Sequence, residues 1–189
     1  MKVTPLKLRG LLLLRPERHA DDRGHFVEVW NKKRFEEHGL RFDFVQDNQS
    51  YNRIAGTVCG LHFQAPPSSQ AKLVGVLRGR IYDVAVDLRK ASPAFGQWAA
   101  VELSAETGEH LMIPRGFAHG YCTLESDTLV SYKVDRYYDR SREAGLRWND
   151  PKLGIVWPDL GGAPRISERD ASLPDFAGFV TPFTSADLV

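Results

Sequence analysis

The sequence predicts an all-β protein, a single sandwich or barrel with a few short peripheral helices. Three observations carry that expectation. Short apolar or alternating runs, each closed by turn residues, fill the middle of the chain. Helical signals are confined to one early segment and one later turn. At 189 residues, with no linker, repeat or low-complexity tract, residues 1–189 read as one domain large enough to bury a proper core.

Taken in order, the run at 11–14 is four leucines between Arg9 and Arg15. That is too short for a leader or a membrane span and reads as a buried strand. Residues 21–31 mix charge and aromatics, with Arg23, His25, Val27 and Val29 on one parity and Phe26 and Glu28 on the other, as in a strand with two unlike faces. Asn31 is a good helix N-cap and Gly39 a good left-handed stop, so a helix is expected between them. The amide-rich stretch Gln46, Asp47, Asn48 reads as turn chemistry or as a recognition segment. Residues 74–77, the turn Arg78-Gly79-Arg80 and residues 81–87 read as strand, turn, strand. In the second strand Ile81, Asp83, Ala85 and Asp87 share one face, and Tyr82, Val84 and Val86 the other. Further strands are expected at 98–103, 109–113, 117–124 and 128–134. From Asp139 onward Pro, Gly and Asp are frequent, with a helical turn expected near 141–145 and a peripheral tail from about 176.

Twenty-five basic and 24 acidic residues leave a formal net charge of +1, so no global field recruits nucleic acid or an anionic membrane. Attraction for anions must be local. Two cysteines, Cys59 and Cys122, do not make a disulfide framework, and each lies three residues from a histidine, on what read as neighbouring strands. With no leader recognisable, the chain is read as cytoplasmic and the cysteines as free thiols.

The chemistry concentrates in two glycine-anchored histidine segments. One runs from Gly56 through Cys59-Gly60-Leu61-His62-Phe63-Gln64 to Lys72 and Gly79, and the other from Gly108 through Pro114 and Gly116 to His119. These resemble the two motifs of metal-binding cupins, which are small jelly-roll barrels. The ligands, however, are altered: Gln64 stands where the second histidine is expected and Lys72 where the glutamate is. A protonated lysine does not ligate a cation, so no metal is expected, and the pocket reads as rebuilt for an anionic group. Taken alone, a strand histidine such as His62 is an ordinary hydrogen-bonded residue, Lys72 an ordinary loop-end lysine, and Tyr132 or Tyr138 a packing aromatic. In one pocket, His62 suits a general base if Asp83, Asp87 or Asp170 orients it, Lys72 suits a developing oxyanion, and a tyrosine across the pocket suits the opposing acid.

From about residue 4 to 175 the chain resembles the dTDP-4-dehydrorhamnose 3,5-epimerase family, the metal-free cupins of deoxysugar biosynthesis. The resemblance rests on Asp21-x-Arg23-Gly24 with Glu28, Gln46-Asp47-Asn48, Gly60-Leu61-His62-Phe63-Gln64, Lys72-Leu73-Val74 and Asp83-Val84-Ala85-Val86-Asp87. It continues through Ile113-Pro114-x-Gly116-Phe117-Ala118-His119-Gly120, Tyr132-Lys133, Tyr137-Tyr138, Trp148-Asn149-Asp150-Pro151 and Ser167-Glu168-x-Asp170. It implies a homodimeric jelly roll that inverts C3 and C5 of dTDP-4-dehydro-6-deoxy-D-glucose without a cofactor. By the same resemblance His62 is the base, Asp170 its partner, Tyr132 the acid and Lys72 the cation. Arg23, Phe26, Glu28, Gln46, Asp47, Asn48, Cys59, Lys72, His119, Tyr138, Glu143 and Arg169 surround the nucleotide sugar, and the N-terminal strand is lent across the dimer.

Two positions depart from the family pattern, Cys59 and Gly75, each where an arginine is usual. Loss of a guanidinium weakens an anion site or changes its ligand, which keeps open an epimerase acting at one carbon only, or a non-catalytic nucleotide-sugar-binding jelly roll. A metal-dependent cupin using His62 and His119 is the third alternative, opposed by Gln64 and Lys72.

Overall fold

The alternating runs become strands, and the way they stack decides where the site lies. The computed structural model describes residues 1–159 and 161–184. In chain order the elements are β1 (Lys2–Pro5), β2 (Leu12–Arg15), β3 (Arg18–Asp21), β4 (Gly24–Val27), α1 (Lys32–Glu37), β5 (Gln46–Asn52), β6 (Val58–Gln64), β7 (Lys72–Arg78) and β8 (Arg80–Asp87). They continue with β9 (Trp98–Ser104), β10 (His110–Ile113), β11 (Phe117–Thr123), β12 (Thr128–Val134), β13 (Glu143–Gly145) and α2 (Glu168–Ala171).

Two antiparallel sheets face each other in a cupin jelly roll. One runs β1-β2-β10-β7-β12-β5 and the other β13-β6-β11-β8-β9, while β3 and β4 form a separate hairpin. Neighbours in both sheets are mostly distant in sequence, so the strands must cross between sheets rather than meander. The β7–β8 turn needs glycine at residue 79: its φ is +79°, and a Cβ there would lie 2.3 Å from Thr128 Oγ1.

The face assignments for 81–87 hold. Ile81 and Ala85 join Val74, Val76, Leu111, Val130 and Phe117 in the core between the sheets. Val84 and Val86 face outward and pack with Leu61, Phe63, Leu146, Leu153, Phe176 and Phe183. The outer side of the first sheet is covered separately by Phe35, Trp30, Phe42 and Phe44 over Leu14, Leu73 and Met112. The molecule is thus four layers deep, with α1 and the segment after it on one outside and the C-terminal segment on the other.

The N-cap and stop around α1 are as expected: Asn31 Oδ1 accepts from Arg34 N at 3.3 Å and Gly39 adopts φ +76°. Three expectations are corrected. The segment near 141–145 is a 3-10 turn over Arg140–Arg142 followed directly by β13, because Glu143, Ala144 and Gly145 pair with Gln64, Phe63 and His62. The strand read at 21–31 is only the second arm of an exposed hairpin, with Arg23 in its turn and residues 28–31 outside it. The tail from about 176 is not peripheral over its described part: Phe183 is 1 % exposed, its ring centroid 5.5 Å from that of Phe63. Aromatic side chains follow an apolar sheet face even in a Pro- and Gly-rich segment, since burying one is worth roughly 2–3 kcal/mol.

Candidate active site

A cavity of about 370 Å³ opens between the sheets, lined from both. From the second sheet come Cys59, His62, Phe63, Gln64, His119, Tyr121 and Glu143, and from the first Gln46, Asn48, Ser50, Lys72 and Tyr132. Gln70 and Tyr138 reach it from loops. Cys59 and His62 are three residues apart, which regular alternation would put on opposite faces. The pairing of β6 with β11 slips between His62↔His119 and Cys59↔Tyr121, an irregularity that returns both side chains to the cavity. At Gly60, φ +113°, a Cβ would lie 2.7 Å from Gly120 Cα, so this close crossing admits only glycine.

His62 Nε2 lies 3.0 Å from Asp170 Oδ1, and Asp170 Oδ2 accepts from Gly60 N at 2.9 Å. Burial alone would push the Asp170 carboxyl up, but the bonds from His62 and from the Gly60 amide outweigh it and hold the group below the ordinary carboxylate value. An ionised carboxylate only accepts, so it assigns the proton to Nε2 of His62. Nδ1, which has no hydrogen-bond partner among the described residues, keeps its lone pair. The second candidate orienter, Asp83, serves His119 instead, its Oδ1 2.8 Å from Nε2. The third, Asp87, is held by Arg89 and Ser92 at 2.7 and 2.6 Å, away from the cavity.

Across from His62, burial pushes the Lys72 ammonium down to about 8, against the opposing pull of Asp83 and Glu143. Burial, helped by Cys59 and Glu143, pushes the Tyr132 phenol above its usual value, so it stays protonated. His62 faces a neutral phenol and an ammonium carried by the opposite sheet. Such a pocket can remove an acidic proton from one side of a carbon, stabilise the resulting enolate and return a proton from the other side.

At the inner end Cys59 Sγ donates to Asn52 Oδ1 at 3.6 Å, and Tyr121 OH donates to Ser50 Oγ at 2.9 Å. Burial pushes the Cys59 thiol up, so it remains a neutral donor. Cys59 and Cys122 are both free, on the paired strands β6 and β11. At the rim Tyr138 OH donates to Glu143 Oε2 at 2.6 Å, and Arg169 Nη2 meets Glu143 Oε1 at 2.5 Å. Gln46 accepts from Tyr138 N at 3.0 Å and donates to Asn48 at 2.8 Å.

Four residues expected at the site are elsewhere within this chain. Arg23 pairs with Asp21 in the hairpin turn, Phe26 on the same hairpin is 69 % exposed, and Glu28 pairs with Arg34. Asp47 points to the outer face of its sheet and pairs with Lys133. Gly75 also lies on that outer face, where a Cβ would collide with the His110 ring at 2.4 Å, so an arginine there would not point into this cavity. Three further residues that the sequence motifs do not mark, Ser50, Tyr121 and Gln70, line the cavity. Ser50 shares the parity of Gln46 and Asn48, and Tyr121 lies two residues beyond His119, so alternation signals both. Gln70 sits in a loop and carries no such signal.

Gln64, standing where a metal histidine would be, instead fastens two loops: its Oε1 accepts from Asp139 N at 2.7 Å and its Nε2 donates to Ser68 O at 3.3 Å. Among the described residues no three His, Cys, Asp or Glu side chains are grouped to hold a metal ion. Fold and site together define a cupin isomerase of the acid–base kind. A sequence model of the dTDP-4-dehydrorhamnose 3,5-epimerase family matches residues 5–178. The dTDP-4-dehydrorhamnose 3,5-epimerase of Sinorhizobium fredii is 44 % identical over 178 residues, covering 94 % of this chain and 91 % of that protein. The Bacillus anthracis enzyme of the same name, solved with TDP and PPi bound, is 48 % identical with a TM-score of 0.90, covering 93 % of this chain and 99 % of that one. The Legionella pneumophila dTDP-6-deoxy-D-glucose-3,5-epimerase, solved with dTDP-4-keto-L-rhamnose, is 38 % identical with a TM-score of 0.90, covering 100 % of this chain and 96 % of that one. The chain therefore belongs to the dTDP-4-dehydrorhamnose 3,5-epimerase family.

Proposed function

We propose that the protein converts dTDP-4-dehydro-6-deoxy-D-glucose to dTDP-4-dehydro-L-rhamnose by inverting C3 and C5. The observation that carries this reading is the His62–Asp170 pair at 3.0 Å, on the opposite wall from Lys72 and Tyr132. Both carbons adjoin the C4 ketone, so loss of either proton gives an enolate. His62 Nδ1 takes the proton, Asp170 holds the ring and stabilises the imidazolium, Lys72 neutralises the enolate oxygen, and Tyr132 returns a proton from the opposite face. No electron is transferred, so the reaction calls for no redox cofactor. Gln46, Asn48, Cys59, His119, Tyr138, Glu143 and Arg169 form the nucleotide-sugar site within the chain.

The remaining contacts come, in this reading, from a second copy. The hairpin of β3 and β4 projects Arg23 and Phe26 away from their own cavity, which suits a homodimer in which each hairpin, with Glu28 beyond it, completes its partner's site. Free Cys59 and Cys122 and a nucleotide-linked substrate suit the cytoplasm.

Incubation with the 4-keto sugar nucleotide in heavy water, followed by NMR, tests the proposal. Deuterium should enter both C3 and C5, and His62→Ala should slow entry by roughly 10³-fold. Entry at one carbon only would make the protein a mono-epimerase, and saturable binding without entry a non-catalytic receptor. A His62→Ala variant that exchanged at the parent rate would remove His62 as the base.

A further inference from the structure

Asp170 holds the base from an insecure place. Its helix, α2, is a single turn of four residues, too short to be stable by itself, and it packs on β6 after an exposed stretch of chain. Its immediate backbone ties are at Arg165, whose carbonyl accepts from Val58 N in β6 at 2.8 Å, and at Pro174, whose carbonyl accepts from Arg147 N in the loop after β13 at 2.8 Å. Between them the turn is fixed to the cavity wall by side chains. One of these is Arg169, the neighbour of Asp170, at 2.5 Å from Glu143 Oε1. Glu143 is itself anchored, because β13 pairs with β6 at Glu143↔Gln64, two residues from His62. Its other oxygen accepts from Tyr138 OH at 2.6 Å.

We infer that Glu143 is a positioning residue. One carboxylate oxygen holds Arg169, and with it the turn that carries Asp170, while the other holds Tyr138 at the cavity mouth, so the His62–Asp170 pair and the mouth share one clamp. This rests on the acid–base reading of His62 and extends it, since Glu143 acts through Arg169 and Asp170 rather than by touching the reacting carbons. Burial by itself would raise the Glu143 carboxyl, but Arg169 and Tyr138 outweigh it and hold the group below its ordinary value, as a clamp that must stay ionised requires. The Glu143 side chain is 19 % exposed and that of Arg169 58 %, so the contact is partly screened by solvent and is weaker at high salt.

The experiment compares the parent protein with E143Q, R169A, R169K and E143Q/R169A. In substrate-free protein, 1H–15N NMR follows the Nε2 proton of His62 that bonds Asp170. It should be protected in the parent, exchange at least tenfold faster in E143Q and R169A, and recover in part in R169K, which keeps a cation. With the sugar nucleotide, E143Q should lower kcat about tenfold, as expected when a base is displaced by a fraction of an ångström, and should raise KM as well because Glu143 also lines the nucleotide-sugar site. The double variant should be no worse than the more damaged single one. Equal protection of the His62 proton in parent and E143Q, absence of protection in the parent, or a rise in KM alone would each overturn the inference. The NMR arm needs no turnover, so it decides the positioning role even if the proposed reaction fails.

Discussion

Lys72 is where single-residue chemistry makes its sharpest prediction. Burial brings its ammonium down to about 8, so the cation is present below that pH and is lost as pH rises through it. The rate at low substrate, kcat/KM, should therefore fall about tenfold per pH unit well above 8. A Lys72→Gln variant should be slower by roughly 10²-fold or more and should lack that alkaline limb, which a pH–rate profile reads directly. The altered motif made Lys72 and Gln64 legible as departures from a metal-ligand pattern, because the donor chemistry of a side chain is a property of the residue itself. The partner of His62 was not legible from composition or spacing. Asp83, Asp87 and Asp170 all qualified as carboxylates, and only the fold separates them, giving Asp83 to His119 and Asp87 to Arg89. At Cys59 a neutral thiol bonded to Asn52 replaces the expected guanidinium, so among the described residues the cavity lining holds polar groups without a second lysine or arginine beside Lys72.

Among the elements, strands were the most readable, since short apolar or alternating runs closed by turn residues mark β8, β9, β11 and β12. The irregularity joining β6 to β11 was not. It depends on Gly60 passing within van der Waals range of Gly120 and His119 on a strand nearly sixty residues away, and no local pattern marks it. Gly60→Ala puts a Cβ 2.7 Å from Gly120 Cα and His119 O and strains a residue at φ +113°, so it should cost about 3 kcal/mol or more. Denaturant unfolding measures that loss. Because the same slip turns Cys59 and His62 to one side, residual folded Gly60→Ala protein should also lose activity. The 3-10 turn and β13 were misread as one helical turn for a related reason: Glu143, Ala144 and Gly145 have no strand pattern of their own and extend only because β6 offers them an edge.

On the scale of the whole molecule, the layers outside the two sheets are structural members. Phe183→Ala should destabilise the protein by about 3–5 kcal/mol, read as a lower Tm, since its ring is 1 % exposed against Phe63 and the outer face of the sheet that carries His62. The proposed dimer makes a separate prediction. Arg23→Ala and His62→Ala subunits, each poorly active alone, should regain activity when co-refolded, because one site of the mixed dimer then receives an intact His62 from one copy and an intact Arg23 from the other. Mixtures that stay as inactive as the separate variants would place Arg23 outside the partner's site. The sequence by itself determined the all-β class, the faces of β8, the caps of α1, the replaced ligand positions and, through its motifs, the family. These are local or short-period properties, set by side-chain chemistry and the pleat. Only the tertiary structure decided which carboxylate meets which histidine, which chain face Asp47 and Gly75 occupy, and that the C-terminal aromatics are core. Those depend on contacts across long stretches of chain, such as the 110 residues between Gly60 and Asp170, where closure is governed by how the sheets pack rather than by any neighbour in sequence.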